Sequence, residues 1–184
     1  TETQSKVLAR LIREQFPNKP IQYAVVTHHH YDHTGGVRGL AALGATVIVE
    51  QQHRPAMEEL LGPLHTNPQD DLDRQRVAQG KASWKLELIY DGKRTIADGN
   101  QSLELYSVTG SPHAEPIVLA YVPSARALFQ SDLWFPGTGG IGSPEARHLL
   151  DSVRKLGLKV DTNIGGHGGV APFSELVAAV DEIA

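Results

Sequence analysis

Four of the nine histidines of this chain fall in one heptapeptide, Thr27-His28-His29-His30-Tyr31-Asp32-His33. Through it runs the pattern His-x-His-x-Asp-His, made of His28, His30, Asp32 and His33. Neutral imidazole and carboxylate are nitrogen and oxygen donors suited to a borderline divalent cation such as zinc. In an extended segment residues i, i+2 and i+4 share one side. The spacing therefore predicts that His28, His30 and Asp32 converge while His33 steps to the other side. The bland alternative is a polar, tag-like histidine run, but Asp32 and the following Thr34-Gly35-Gly36 fit a built site better.

Three more candidate ligands lie far along the chain, each just after an apolar run. His113 closes the loop Thr109-Gly110-Ser111-Pro112-His113. Asp132 follows Ala127-Leu128-Phe129. His167 stands in Gly165-Gly166-His167-Gly168-Gly169. Taken singly, a loop His or Asp is more often solvated or a helix cap. Four glycines around one histidine, however, suit a backbone that passes close to something while presenting a single side chain.

The elements that must position these residues are legible in outline. Residues 3–16 predict an amphipathic helix with Val7, Leu8, Leu11 and Ile12 as its apolar stripe, stopped by Pro17 and Pro20. Residues 21–27 predict a buried strand that delivers the histidine loop. Residues 37–43 predict a short helix and residues 45–50 a second strand, an order that suggests a parallel pair with a crossover. Residues 52–61 are helical by pattern. Residues 62–81 are irregular and carry the acidic cluster Asp70, Asp71 and Asp73, read as a solvated loop with a short helix in preference to a flap.

Beyond residue 84 short strands take over, at 84–90, 103–108, 116–122 and 127–130, separated by turn signals such as Asp91-Gly92 and Asp98-Gly99-Asn100. These predict an antiparallel or mixed sheet. Ser143-Pro144-Glu145 is a helix start, with Leu149, Leu150, Val153 and Leu156 as its apolar face and Gly157 as its end. A strand over 158–164 leads into the His167 loop. A last helix over about 172–183 turns Leu176, Val177, Val180 and Ile183 inward.

Composition narrows the partners. The chain has 184 residues, 40% of them apolar and 21% charged, with a net charge of −4, which suits one soluble domain spanning 1–184. No basic patch favours nucleic acid, and no apolar run approaches the roughly 20 residues of a membrane helix. With no cysteine, disulfides, thiolate-bound zinc and thiol nucleophiles are all excluded. No signal peptide is legible. None of this fixes the compartment, and the balance favours the cytoplasm.

Taken together, the seven residues and their order resemble the signature of the metallo-β-lactamase fold superfamily of metal-dependent hydrolases. The resemblance runs from about residue 3 to the end. It implies an α/β fold, the αβ/βα four-layer sandwich with two β-sheets. It also implies that His28, His30 and His113 bind one metal, that Asp32, His33 and His167 bind a second, and that Asp132 bridges them, as in the glyoxalase II-like branch. The segment Thr109–Glu115 departs from the Gly-His-Thr form of that branch. It is closer to a subgroup with His-His-His-x-Asp-His-Thr/Ser-Gly-Gly. The family has several strands before its motif, whereas here the motif begins at residue 28. The expectation is a fold lacking its N-terminal strands, either as a fragment or completed by another chain, with an open sheet edge through which it would associate.

The implied activity is hydrolysis of a small molecule, an ester, thioester, lactone or lactam, by a hydroxide held on two zinc ions, with Asp32 as the catalytic residue that orients the nucleophile. Iron is the competing metal, in a mononuclear sulfur dioxygenase of the same fold. A metal-poor interaction module is the non-catalytic alternative. Tyr31 is expected to pack under the loop, His29 to point to the core or to partners of the ligands, and His53, His65 and His148 to be surface or helix residues. Trp134 and Phe135 line the pocket or pack in the core. Substrate choice is expected to lie in the loops 62–81 and 134–143.

Overall fold

Tyr23-Ala24-Val25 and Thr46-Val47-Ile48-Val49-Glu50 are short and rich in β-branched and aromatic residues, and both become strands. β1 (Tyr23–Val25) and β2 (Thr46–Glu50) run parallel, with Tyr23 opposite Thr46 and Val25 opposite Ile48. Between them lie α2 (Tyr31–Thr34) and α3 (Val37–Ala42), the helical crossover that a parallel pair requires. The computed structural model describes residues 1–63, 67, 69–80, 84–136 and 143–182. The chain divides into two compact units, Thr1–Leu88 and Ile89–Ala184.

The first unit opens with α1 (Glu2–Gln15), whose N-terminus is closed by a capping box between Thr1 and Gln4. After β2 come a 3₁₀ turn at Gln51–His53, α4 (Arg54–Leu61), α5 (Asp71–Gln79) and β3 (Lys85–Ile89). The sheet order is β1-β2-β3, so β1 is its edge among the described residues. Val26, Val37, Val47, Val49, Met57 and Leu61 build the core, and Leu86 and Leu88 pack against it.

One expectation fails at α1. Its predicted stripe is turned outward, with Val7, Leu8 and Leu11 all more than two-fifths exposed. The buried residues are the small ones, Ser5 and Ala9. The cause is close packing on α3, which presents glycine to the helix. A Cβ at Gly39 would collide with Ser5 Oγ. Contact through small residues leaves the aliphatic side chains facing away.

The short helix expected within 62–81 is α5, but its acidic start is less solvated than expected. Asp70 caps α5 by accepting from Asp73 N at 2.9 Å, and Asp73 is buried. Residues 64–66, 68 and 81–83 lie outside the described residues, His65 among them.

The second unit is one six-stranded sheet with its strands in chain order. They are β4 (Lys93–Asp98), β5 (Gln101–Val108), β6 (Ile117–Val122), β7 (Ala127–Gln130), β8 (Thr162–Gly165) and β9 (Val170–Pro172). All neighbours are antiparallel except β7 and β8. That parallel step is carried by α6 (Pro144–Leu156), and α7 (Phe173–Asp181) closes the unit.

The start of α6 follows the sequence signal. Ser143 accepts from Ala146 N at 3.1 Å, and Gly157 ends the helix at φ 65°. Leu149, Leu150, Leu176 and Val180 pack with Ile117, Leu119 and Leu128 into the core of this unit. Each such side chain, once buried, is worth about 1.5–3 kcal/mol. Ile183, expected inward, and most of the 134–143 loop lie outside the described residues. The mixed α/β architecture is the expected class.

Candidate metal centre

In the first unit the chain leaves β1 and buries His28 completely. The Thr27 hydroxyl stands 3.1 Å from His28 Nδ1, the ring nitrogen opposite Nε2. That Nε2 lies 3.1 Å from His30 Nδ1. His30 is the last extended residue, at φ −63° and ψ 149°, and it precedes α2 as its N-cap. The Thr34 hydroxyl donates to the His30 carbonyl at 3.0 Å and fastens the turn.

The extended spacing predicted for the whole motif therefore stops at His30. Asp32 and His33 stand on a helical turn, where neighbours are no longer thrown to opposite sides. His33 Nε2 is 3.2 Å from Asp32 Oδ2, and the His33 ring is 4.3 Å from that of His28. His33 thus joins the group it was expected to leave. The Asp32 carboxylate is 60% exposed, the His33 ring only 12%. Both line a cleft of about 340 Å³ bordered by α1, β1 and α3.

The remaining aromatic residues of this region differ from expectation. Tyr31 does not pack under the loop; it is 74% exposed, because it opens α2 on the helix's outer side. His53, expected as a surface or helix residue, ends the 3₁₀ turn and is buried, and it lies 5.0 Å, ring to ring, from His29. His29 itself is exposed and not turned to the core. Partial desolvation pulls its pKa below the ordinary histidine value, and the nearby charges of His53 and His30 act the same way.

In the second unit β7 ends at Gln130 and the chain turns sharply. Asp132 is buried and sits at φ 64°, a left-handed conformation that Asp tolerates better than most residues. Its two carboxylate oxygens face two different imidazoles. Oδ2 is 3.4 Å from His113 Nε2, and Oδ1 is 3.3 Å from His167 Nε2. His113 is set by an ST-type turn in which the Ser111 hydroxyl accepts from His113 N at 3.2 Å. Two of the four glycines around His167 have the contact reason that their number suggested, while a Cβ at Gly169 would meet nothing within 4 Å. A Cβ at Gly166 would collide with Ser131 Oγ, and one at Gly165 with the His167 carbonyl. Trp134 belongs to the core of this unit, while Phe135 is part-exposed, its ring 6.1 Å from that of His167.

Each unit thus gathers its own cluster: His28, His30, Asp32 and His33 in the first, His113, Asp132 and His167 in the second. All seven belong to groups able to hold a metal ion. The donors are imidazole nitrogen and carboxylate oxygen only. Neighbouring donor atoms are 3.1–3.4 Å apart. Zinc bonds of about 2.0–2.2 Å in a tetrahedron put ligand atoms roughly 3.3–3.5 Å apart. The donor set fits such an ion.

The model of the metallo-beta-lactamase superfamily matches residues 1–167. The chain belongs to the metallo-beta-lactamase superfamily. It is a metallo-hydrolase of that superfamily, and its histidine and aspartate clusters are of the metal-holding kind.

Solved structures agree on the fold. A metallo-beta-lactamase from Pontibacter korlensis superposes with a TM-score of 0.65 at 18% identity, over 96% of this chain and 74% of that one. One from Hirschia baltica gives 0.66 at 19% identity, over 98% and 76%. The protein TMB-1 gives 0.66 at 17%, over 98% and 75%. At these identities the likeness speaks for the fold and not for a substrate. No curated protein matches the sequence.

Proposed function

We propose that this superfamily member is a dinuclear zinc hydrolase acting on an ester, thioester, lactone or lactam. His28, His30 and His113 would hold one ion, Asp32, His33 and His167 the other, and Asp132 would bridge. The observation that carries this is the Asp132 carboxylate, whose two oxygens each approach a different histidine within 3.4 Å. A buried carboxylate that served only one partner would not need both oxygens presented in this way. When bound, two such ions supply Lewis acidity and bring the pKa of a shared water toward about 7.

The protein's own groups do the rest. Asp32, part-exposed beside the cleft, is the catalytic carboxylate: it accepts a hydrogen bond from the attacking water and orients it. Thr27, 3.1 Å from His28 Nδ1, orients the ring so that Nε2 would face the metal. Burial of His28 and Asp132 keeps bulk water from competing for their donor atoms. The lactam arm follows from the solved structures that this chain resembles, which are metallo-beta-lactamases. Loops 62–81 and 134–143 are proposed to choose among substrates.

The deciding measurement is metal content of the purified chain, followed by hydrolysis assays on esters, thioesters, lactones and lactams. Two zinc ions per chain and turnover of one substrate class are expected. One iron per chain would replace this reading with the sulfur dioxygenase. Metal uptake that survives in His30→Ala and Asp32→Ala would remove both.

A further inference from the structure

Gln130 is a fully buried polar residue at the end of β7, where an aliphatic side chain would serve the core as well. Burying an amide is costly unless every group on it is paired. Here both its oxygen and its nitrogen are bonded. Oε1 accepts from Leu133 N at 3.1 Å and from Trp134 N at 3.2 Å, and Nε2 donates to the Trp134 carbonyl. Two main-chain N–H groups converge on one end of the amide, which assigns that end as oxygen. These bonds wrap the turn whose left-handed residue is Asp132.

The main chain of Gln130 does a second task. Its carbonyl accepts from Gly166 N at 2.8 Å, one residue before His167. Between the two segments the Ser131 hydroxyl stands 3.5 Å from Asp132 Oδ2, in the space that a side chain at Gly166 would occupy.

We infer that Gln130 is the positioning residue of the second-unit cluster: its side chain fixes the turn that presents Asp132, and its carbonyl anchors the loop that presents His167. It touches neither substrate nor metal and acts through Asp132. The inference rests on the proposed role of Asp132 as a ligand. Without the three side-chain bonds the turn would relax toward ordinary backbone angles and swing the carboxylate away from the two imidazoles. Partners that orient metal ligands typically carry about a ten- to hundredfold effect on metal affinity.

The test uses the full chain and three variants, Gln130→Met, Gln130→Glu and Asp132→Ala. Zinc affinity is measured by competition with a chromophoric chelator, and cobalt-substituted protein is read by its visible absorption. The melting temperature of the metal-free protein is the control for folding. Asp132→Ala should weaken binding. Gln130→Met, similar in length but without donors or acceptors, should weaken it about ten- to hundredfold and change the cobalt spectrum. Gln130→Glu keeps both accepted bonds, should lie nearer the wild type, and serves alone if the Met variant does not fold.

If Asp132→Ala weakens binding while the Gln130 variants lower only the melting temperature, Gln130 is structural and the inference is overturned. If Asp132→Ala leaves affinity unchanged, the ligand assignment fails first and takes the inference with it.

Discussion

Asn163 in β8 is fully buried, and neither end of its amide has a partner among the described residues. Its neighbours across the sheet are Leu128 and Ala171. A buried polar group left unpaired costs about 1–3 kcal/mol. Asn163→Leu should therefore stabilise the protein by about 1–2 kcal/mol, which a urea melt reads directly. A loss of stability would show that the amide is satisfied, by an ordered water for instance.

Gln130 is the contrasting case, a buried amide bonded at both its oxygen and its nitrogen. In the sequence both are polar residues in or at the end of an apolar strand, and no pattern separates them. The seven ligand candidates were legible because their types are chemically distinctive and their spacing unusual. Their geometry was only half legible. His28 and His30 follow the extended rule, while Asp32 and His33 depart from it because a helix starts at Tyr31.

Among the elements, α3 and α5 are joined by a nearly enclosed ion cluster. The Arg38 guanidinium forks onto Asp70, reaches Asp73 at 2.7 Å, and donates to the Leu60 carbonyl at 2.8 Å at the end of α4. The hydrogen bond to Asp70 and the charges of both aspartates hold its pKa above the ordinary value, outweighing desolvation. Arg38→Ala would strand two carboxylates, one of them almost wholly buried. Removing one partner of such a pair costs about 3–5 kcal/mol, visible as a fall in urea midpoint.

Nearby, Lys6 and then Arg74 hold the Asp71 carboxyl down at about 2, tying α5 to α1. A carboxyl with a lowered pKa stabilises the fold fully above its unfolded value, near 4. That contribution fades as pH falls toward 2. Urea melts of wild type and Asp71→Asn should differ at pH 6 and converge at pH 2. Solvent screening at this part-exposed site keeps the difference small, and a gap that widens in acid would refute the linkage.

The acidic stretch read as a solvated loop with a short helix. The helix is there as α5. What the charge run concealed is that Asp70 and Asp73 are paired with Arg38, 32 residues before Asp70, and no local pattern carries that information. Strands β4 and β9 escaped notice for a related reason. β4 has one large aliphatic residue, Ile96, and β9 is three residues long, so pairing rather than periodicity makes them strands.

At the scale of the whole molecule, metal binding by the proposed ligands has a thermodynamic consequence. An ion that binds only the folded chain stabilises it by mass action, by about 4.1 kcal/mol for one site at a thousand times its dissociation constant. For a chain of this size that corresponds to roughly 8–16 °C in melting temperature. The chain has no cysteine, so the unfolded state lacks the thiolates that would compete for zinc and blunt the shift. Calorimetry with excess zinc should therefore show a large upward displacement, reversed by a chelator. As proposed ligands, His30 and Asp132 should each matter: His30→Ala and Asp132→Ala should both reduce the displacement. If only one of these variants did so, the other residue would not be a ligand. If zinc moved neither the wild-type melt nor the variants', the clusters would not be metal sites at all.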